Sequence, residues 1–246
     1  MKTKQQKNKN TAIVTGSTRG IGKETALLLL EKGVNVTISS RNQDSVQNVI
    51  KEFQVRFPSQ KENILGLKCD VTNHSDVKFL VDATQIKFGG INILVNNAGT
   101  VFFKSIIDTT EEDWNKTIDT NLKGAFLFIK EVLPFMFENN SGTIVNVSSG
   151  AGKYGFQNFS AYCASKFGMI GLTESVAKEV IGENVKIMAI CPGGVDTKMM
   201  EDIIKNGFNK PNFNLMKPEK VAKKICNMIF NEPSYKNGQS IEFYNI

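Results

Sequence analysis

The stretch Thr11-Ala12-Ile13-Val14-Thr15-Gly16-Ser17-Thr18-Arg19-Gly20-Ile21-Gly22 decides the fold. A short apolar strand runs into a turn with glycines at Gly16, Gly20 and Gly22, and a helical pattern follows from about Ile21 to Lys32. Glycines at such places let the backbone approach a pyrophosphate closely. The start of the helix adds free N–H groups and the positive end of its dipole. Ser17, Arg19 and Ile21 belong to the same turn and are candidates for the same site. Taken singly, glycines of this kind also make plain tight turns. Their placement between a strand and a helix is what points to a nucleotide.

Working outward, apolar strand-like runs alternate with helical stretches. Strands are predicted over Thr11–Thr15, Val34–Ser39, Ile64–Cys69, Ile91–Val95, Thr143–Val147, Val185–Ile190 and Gln239–Phe243. Helices are predicted over Gln43–Val55, Ser75–Phe88, Leu122–Phe137, Ser160–Val180 and Pro218–Phe230, with another opening at Thr110, a hydroxyl cap before Glu111, Glu112 and Asp113. This order implies an α/β fold, a doubly wound parallel sheet of Rossmann type with helices on both faces. One domain covers residues 11–246, with no internal repeat or linker.

The composition excludes several classes. At 246 residues, 41% hydrophobic and 22% charged, the chain has globular values, and its longest apolar run, Ala26–Leu30, is far too short to span a membrane. No secretory signal precedes the fold, and Cys69, Cys163, Cys191 and Cys226 are too scattered for a zinc or disulfide framework, so a reduced cytoplasmic protein is expected. Four of the six net positive charges belong to Lys2, Lys4, Lys7 and Lys9. Residues 1–10 therefore read as a solvated, disordered basic tail, and no nucleic-acid signature accompanies it. His74 reads as exposed, no metal set is expected, and Trp114 with Ile118 reads as packing.

The chemistry lies near the ends of strands. Tyr162 and Lys166 are four residues apart on one helix and share a face. A free phenol with a pKa of about 10 is a poor base at neutral pH. A neighbouring ammonium is expected to lower that value, so that Tyr162 exchanges a proton with a carbonyl or alcohol oxygen. Ser149, at the end of the fifth strand, can donate to the same oxygen. Where an NAD-binding fold carries an acid about 20 residues beyond the glycines, this chain has Ser40 followed by Arg41. Arg41 can pair with a 2′-phosphate as a fork, and Arg19 can help from the glycine turn. Only three of the 30 basic residues are arginine, and two of them converge here.

These motifs resemble the short-chain dehydrogenase/reductase family. They are the glycine turn, Asn96-Asn97-Ala98-Gly99, Thr120-Asn121-Leu122-Lys123-Gly124, Ser148-Ser149-Gly150-Ala151-Gly152, Tyr162-Cys163-Ala164-Ser165-Lys166 and Pro192-Gly193-Gly194-Val195-Asp196-Thr197. The resemblance covers about residues 11 to 243 and implies sheet order 3-2-1-4-5-6-7 and a homotetramer, or a homodimer. It implies catalytic roles for Asn121, Ser149, Tyr162 and Lys166, with Asn121 anchoring a water relay to the lysine. Asn121 can equally cap the helix that starts near Leu122. Lys166 would also hold the nicotinamide ribose, Asp70 and Val71 the adenine, and Asn97, Ala98, Gly99, Pro192, Gly193, Val195 and Thr197 other parts of NADP(H).

The expected activity is hydride transfer between NADP(H) and a carbonyl or secondary alcohol. An apolar ketone or 3-oxoacyl thioester suits the apolar residues of a lid at about 197–217, which include Met199, Met200, Ile203, Phe208 and Phe213. Within the family the pattern is similar to 3-oxoacyl-carrier-protein reductases. The basic residues of a carrier-docking surface are replaced by Asn139-Asn140 and Gly182-Glu183, and the Asp-Gly-Gly after the last strand is missing. A non-catalytic NADP(H) sensor is the alternative; such relatives usually lose the tyrosine or lysine, and both are present.

Overall fold

The computed structural model describes residues 10–209, 214–231 and 234–244. The basic tail, apart from Asn10, and Phe213 of the expected lid lie outside the described residues. Seven strands, β1 (Thr11–Val14), β2 (Asn35–Ser40), β3 (Ile64–Lys68), β4 (Ile93–Asn96), β5 (Gly142–Val147), β6 (Val185–Pro192) and β7 (Ser240–Phe243), form one parallel sheet in the order 3-2-1-4-5-6-7. The helices are α1 (Gly20–Glu31), α2 (Gln43–Arg56), α3 (His74–Phe88), α4 (Glu111–Ile118), α5 (Gly124–Glu138), α6 (Ser160–Glu179), α7 (Lys198–Lys205) and α8 (Pro218–Phe230). None of the described helices is long and apolar enough to cross a membrane.

Alternation along the strands builds two cores. Ala12, Val14, Val36, Ile38 and Val145 face α1, α2 and α8, whereas Ile13, Leu94, Ile144 and Ile187 face α3, α5 and α6. All six residues of β5 are buried, as a central parallel strand requires. Val14 pairs with Ile38 on one side and Val95 on the other. The strand order reverses between β1 and β4, and the crevice beyond their carboxyl ends is where such sheets take ligands.

Several expectations change. The region from Thr110 to Phe137 is one nearly continuous helical run, in which α4 and α5 are joined by a π-helical turn at Asp119–Lys123. Asn121 sits inside that turn and caps nothing. Thr110 does cap α4, in a reciprocal pair with Asp113. Trp114 is 38% exposed rather than packed, while Ile118 is half-buried. His74 opens α3 with its ring half exposed, 2.7 Å from the Glu131 carboxylate. All four cysteines are buried and free. Burial pushes the thiols of Cys69 and Cys226 up to about 12 and 11 respectively.

Candidate active site

The glycine turn is held to the end of β4 by a lattice of short bonds. Thr15 Oγ1 accepts from the backbone of Asn97 and Ala98 at 2.9 and 3.0 Å, and the Asn97 amide donates to Thr15 O and Gly16 O at 2.9 and 3.0 Å. There is no space for a side chain at Gly22: a Cβ would stand 2.3 Å from Asn97 Nδ2 and 2.6 Å from Gly16 O. Gly16 adds a left-handed φ of 60°. Ser17 lies behind the turn, its hydroxyl donating to Val14 O at 2.6 Å and accepting from Ser39 N at 3.0 Å, so it braces the loop against β2.

A cavity of about 970 Å³ opens over these strand ends. At one end it is lined by Gly16, Arg19, Gly20, Ile21, Ser40 and Arg41. The N-terminus of α1 faces this end with no side-chain cap and no acid in its first turn. Its amides and dipole are thus available to an anion, and the two arginines and Ser40 suit a second one. This end therefore fits a dinucleotide carrying an extra phosphate. Val71, Asn97, Ala98, Gly99, Pro192, Gly193, Val195 and Thr197 line the same cavity. Asp70 instead lines an adjoining shallow hollow shared with Arg41, where its carboxylate accepts from the Thr72 backbone and hydroxyl at 3.0 and 2.8 Å.

Ser149, Tyr162 and Lys166 meet on the cavity wall. The Ser149 hydroxyl stands beside the Tyr162 phenol and favours its ionised form, and Ser149 Oγ accepts from Ala151 N at 3.1 Å. Helix α6 is fixed by buried polar tethers. Ser148 Oγ donates to Lys166 O at 3.0 Å, Asn121 Nδ2 donates to Ser165 Oγ at 3.0 Å, and Asn146 Nδ2 donates to Thr173 Oγ1 at 2.9 Å. Asn121 also exchanges two bonds with the backbone of Thr100, at 2.7 and 2.9 Å. The π turn at Asn121 thus clamps the segment after β4 to α6.

The electrostatics depart from the expectation of a phenol lowered by its lysine. Burial dominates and pushes Tyr162 up to about 12, with the neighbouring Ser149 hydroxyl acting against it. Burial also lowers Lys166 to about 8. The ammonium points at Val147 O, 2.8 Å away, and stands 5.6 Å from the centre of the tyrosine ring.

Some cavity residues carry no sequence signal of their own. Tyr244, just after β7, packs so closely on Gly193 that a Cβ there would lie 2.7 Å from its ring. Its hydroxyl donates to Glu242 at 2.7 Å. Phe159 also lines the cavity, one residue before α6. Among the described residues, no group of three His, Cys, Asp or Glu side chains is arranged to hold a metal ion.

Comparisons with known proteins agree with this architecture. Residues 10–207 match the family described as short chain dehydrogenase. The chain is 35% identical over 234 residues to a 3-oxoacyl-acyl-carrier-protein reductase of Thermotoga maritima, covering 93% of this chain and 94% of that one. A crystal structure of a variant of actinorhodin polyketide ketoreductase with NADPH superposes with a TM-score of 0.88 at 28% identity, over 96% of each chain. Levodione reductase superposes with a TM-score of 0.89 at 27% identity, over 95% of each. With its sheet order, its glycine turn against β4 and its serine–tyrosine–lysine wall, the chain belongs to the short-chain dehydrogenase family of oxidoreductases.

Proposed function

We propose that this chain is an NADP(H)-dependent carbonyl reductase in which Tyr162 supplies the proton. The observation that carries this reading is that Ser149, Tyr162 and Lys166 share one wall of a cavity whose other end holds Arg19, Ser40 and Arg41. When bound, the dinucleotide supplies the hydride. Gly16, Gly20, Ile21 and the turn braced by Ser17 and Gly22 would hold its pyrophosphate. Arg19, Ser40 and Arg41 would hold the 2′-phosphate, and Asp70 and Val71 the adenine. Asn97, Ala98, Gly99, Lys166, Pro192, Gly193, Val195 and Thr197 would hold the nicotinamide half.

At neutral pH the raised Tyr162 phenol keeps its proton and can give it to a carbonyl oxygen. Ser149 donates to that oxygen as negative charge develops. Lys166 remains largely protonated at pH 7 and supports the phenolate left behind. Asn121 fixes the backbone on which this geometry rests. The bound NADPH of the actinorhodin ketoreductase supports the cofactor, and both ketoreductase likenesses support a carbonyl substrate. The general test is NADPH oxidation against a panel of ketones, diketones and acyl thioesters; no turnover across the panel refutes the reading.

Two further results are expected. Arg41→Ala raises the NADPH Michaelis constant by about ten- to a hundredfold, the value of one charge-assisted hydrogen bond, and barely changes that for NADH. Steady-state kinetics with both cofactors check it, and equal weakening of both removes Arg41 from the phosphate site. The chain also assembles as a homotetramer. The exposed Phe126 of α5 and Phe167 of α6 offer apolar surface for it, whereas Ile129 and Ile170 are buried within the chain. Light scattering at micromolar concentration that returns a monomer contradicts this.

A further inference from the structure

Three phenylalanine rings meet beside the proposed proton donor, and with Tyr162 they come from three segments of the chain. Phe103 comes from the segment after β4, Phe159 from the residue before α6, Tyr162 from α6 itself and Phe208 from just beyond α7. Phe103 and Phe159 lie 5.1 Å apart at 57°, and Phe208 stands nearly edge-on to both, at 5.5 Å and 74° and at 5.6 Å and 77°. Phe159 continues to Tyr162 at 6.2 Å and 56°. Phe159, Tyr162 and Phe208 line the cavity, and Phe103 stands behind them as a brace.

The position of Phe208 is set by a helix terminus. Gly207 has a φ of 99°, its N–H bonds to Ile204 O, and the Phe208 N–H reaches back to Ile203 O at 3.1 Å. This double closure ends α7 and requires a left-handed residue where the glycine sits. The ring is therefore carried on a defined turn that is tied back to the buried Ile203.

The chemistry of this wall is narrow. Its remaining members are Val101, Ala151, Cys163, Met200 and Ile203, and none carries a charge. The cations on the cavity lie elsewhere. Arg19 and Arg41 are at the end beside β1 and β2, Lys166 is turned to Val147 O, and Lys198 is paired with Asp202. A linear chain gains from burial in proportion to area against any apolar wall. Rings set edge against face add an attraction that only another ring can share, because the positive edge of one meets the negative face of the next.

We propose that the chain's substrate is a neutral ketone carrying an aromatic or similarly flat ring next to the carbonyl, and that Phe159 and Phe208 are the residues that select it. The ring extends the tilted stack while the carbonyl oxygen meets Ser149 and Tyr162. This rests on the reductase reading and narrows its substrate class. Phe103 is a positioning residue that holds the two selecting rings.

The test uses the full chain with two neutral diketones of equal carbon count, 1-phenylbutane-1,3-dione and decane-2,4-dione. The wild type is expected to favour the phenyl compound in kcat/KM, and Phe208→Leu to reduce that ratio by about three- to tenfold, the range of one aromatic pair. Phe208→Tyr, which keeps a ring, should retain the ratio. A second arm titrates the phenyl diketone calorimetrically into the chain saturated with NADP+, where no turnover occurs. Phe208→Leu should weaken that binding by the same factor. Equal use of both diketones, preference for the linear one, or a ratio unmoved by Phe208→Leu overturns the proposal. Absence of turnover with both compounds counts against the reductase reading. The calorimetric arm then still decides the ring wall: no binding, or binding indifferent to Phe208→Leu, overturns it.

Discussion

Replacing Tyr162 by phenylalanine lowers turnover by at least about a hundredfold, the lower range for removal of a general acid, and leaves NADPH affinity close to the wild-type value. The substitution removes one oxygen, and with it the only proton the proposed mechanism transfers. The ring keeps its place against Phe159, so the cavity wall survives. Folding stability changes little, because at pH 7 the phenol is neutral in both the folded and the unfolded chain. The hydroxyl gives up only its polar contact with Ser149, at most about 1 kcal/mol. Pre-steady-state hydride transfer and NADPH fluorescence titration together check this. Near-normal turnover in the variant removes Tyr162 from the mechanism. The raised phenol has a directional consequence: at neutral pH it is held in the protonated form that carbonyl reduction needs and its phenolate is scarce, so alcohol oxidation should accelerate with pH well above neutrality.

Lys166→Met should abolish activity and yet yield a more stable protein. Lys166 is buried and its bonded partner is a neutral carbonyl, Val147 O. Lowering its value from the ordinary 10.5 to about 8 corresponds to a cost of about 3 kcal/mol for holding the charge in the fold. Between pH 8 and 10.5 the unfolded chain binds more protons than the folded one, so the cost is complete below pH 8 and fades as pH rises through that window. Methionine fills similar volume without charge. Allowing for the lost bond to Val147 O, the variant gains about 1–2 kcal/mol at pH 7. Turnover falls by at least about a hundredfold because the developing phenolate loses the cation beside it. Thermal melts at pH 7 and pH 10 measure the gain and its decline. A lower melting temperature at pH 7, or a gain that does not shrink at pH 10, contradicts the argument.

The alternation of strands and helices along the chain was legible because its causes are local, whereas the sheet order followed only from the resemblance of the motifs and the core faces emerge only in the folded sheet. The apolar run Ala12-Ile13-Val14 marks a strand, and Gly16, Gly20 and Gly22 mark the turn that opens α1. What could not be read depends on contacts across the fold. Asn121 looks like a helix cap in sequence, but its amide is committed to Thr100 and Ser165, and the helix widens into a π turn to accommodate it. Trp114 shares a helical period with Ile118, yet periodicity does not say which apolar positions face outward. The effect of Lys166 on Tyr162 was expected from their spacing. Burial of both groups, a property of the completed fold, reverses the shift. Tyr244 follows the final strand with no motif around it, and only the packing of β7 against Gly193 brings it to the cavity. The glycine turn shows both kinds of information: its glycines are visible in sequence, while the reason for Gly22, the amide of Asn97, lies just beyond β4, far away in the chain.

The four buried thiols give the molecule a built-in clock for its own opening. Cys69 follows β3 at one side of the sheet, Cys191 lies in β6 near the other, Cys163 lies in α6 and Cys226 in α8. Cys69, Cys191 and Cys226 are all held above the ordinary thiol value by burial. A thiol-modifying reagent therefore waits for local unfolding before it can react at these places. Modification resolved by position would rank how readily each part of the molecule opens, with no engineered label. If bound cofactor slows the reaction at Cys163 more than at Cys226, the ranking also shows which part of the fold the ligand tightens.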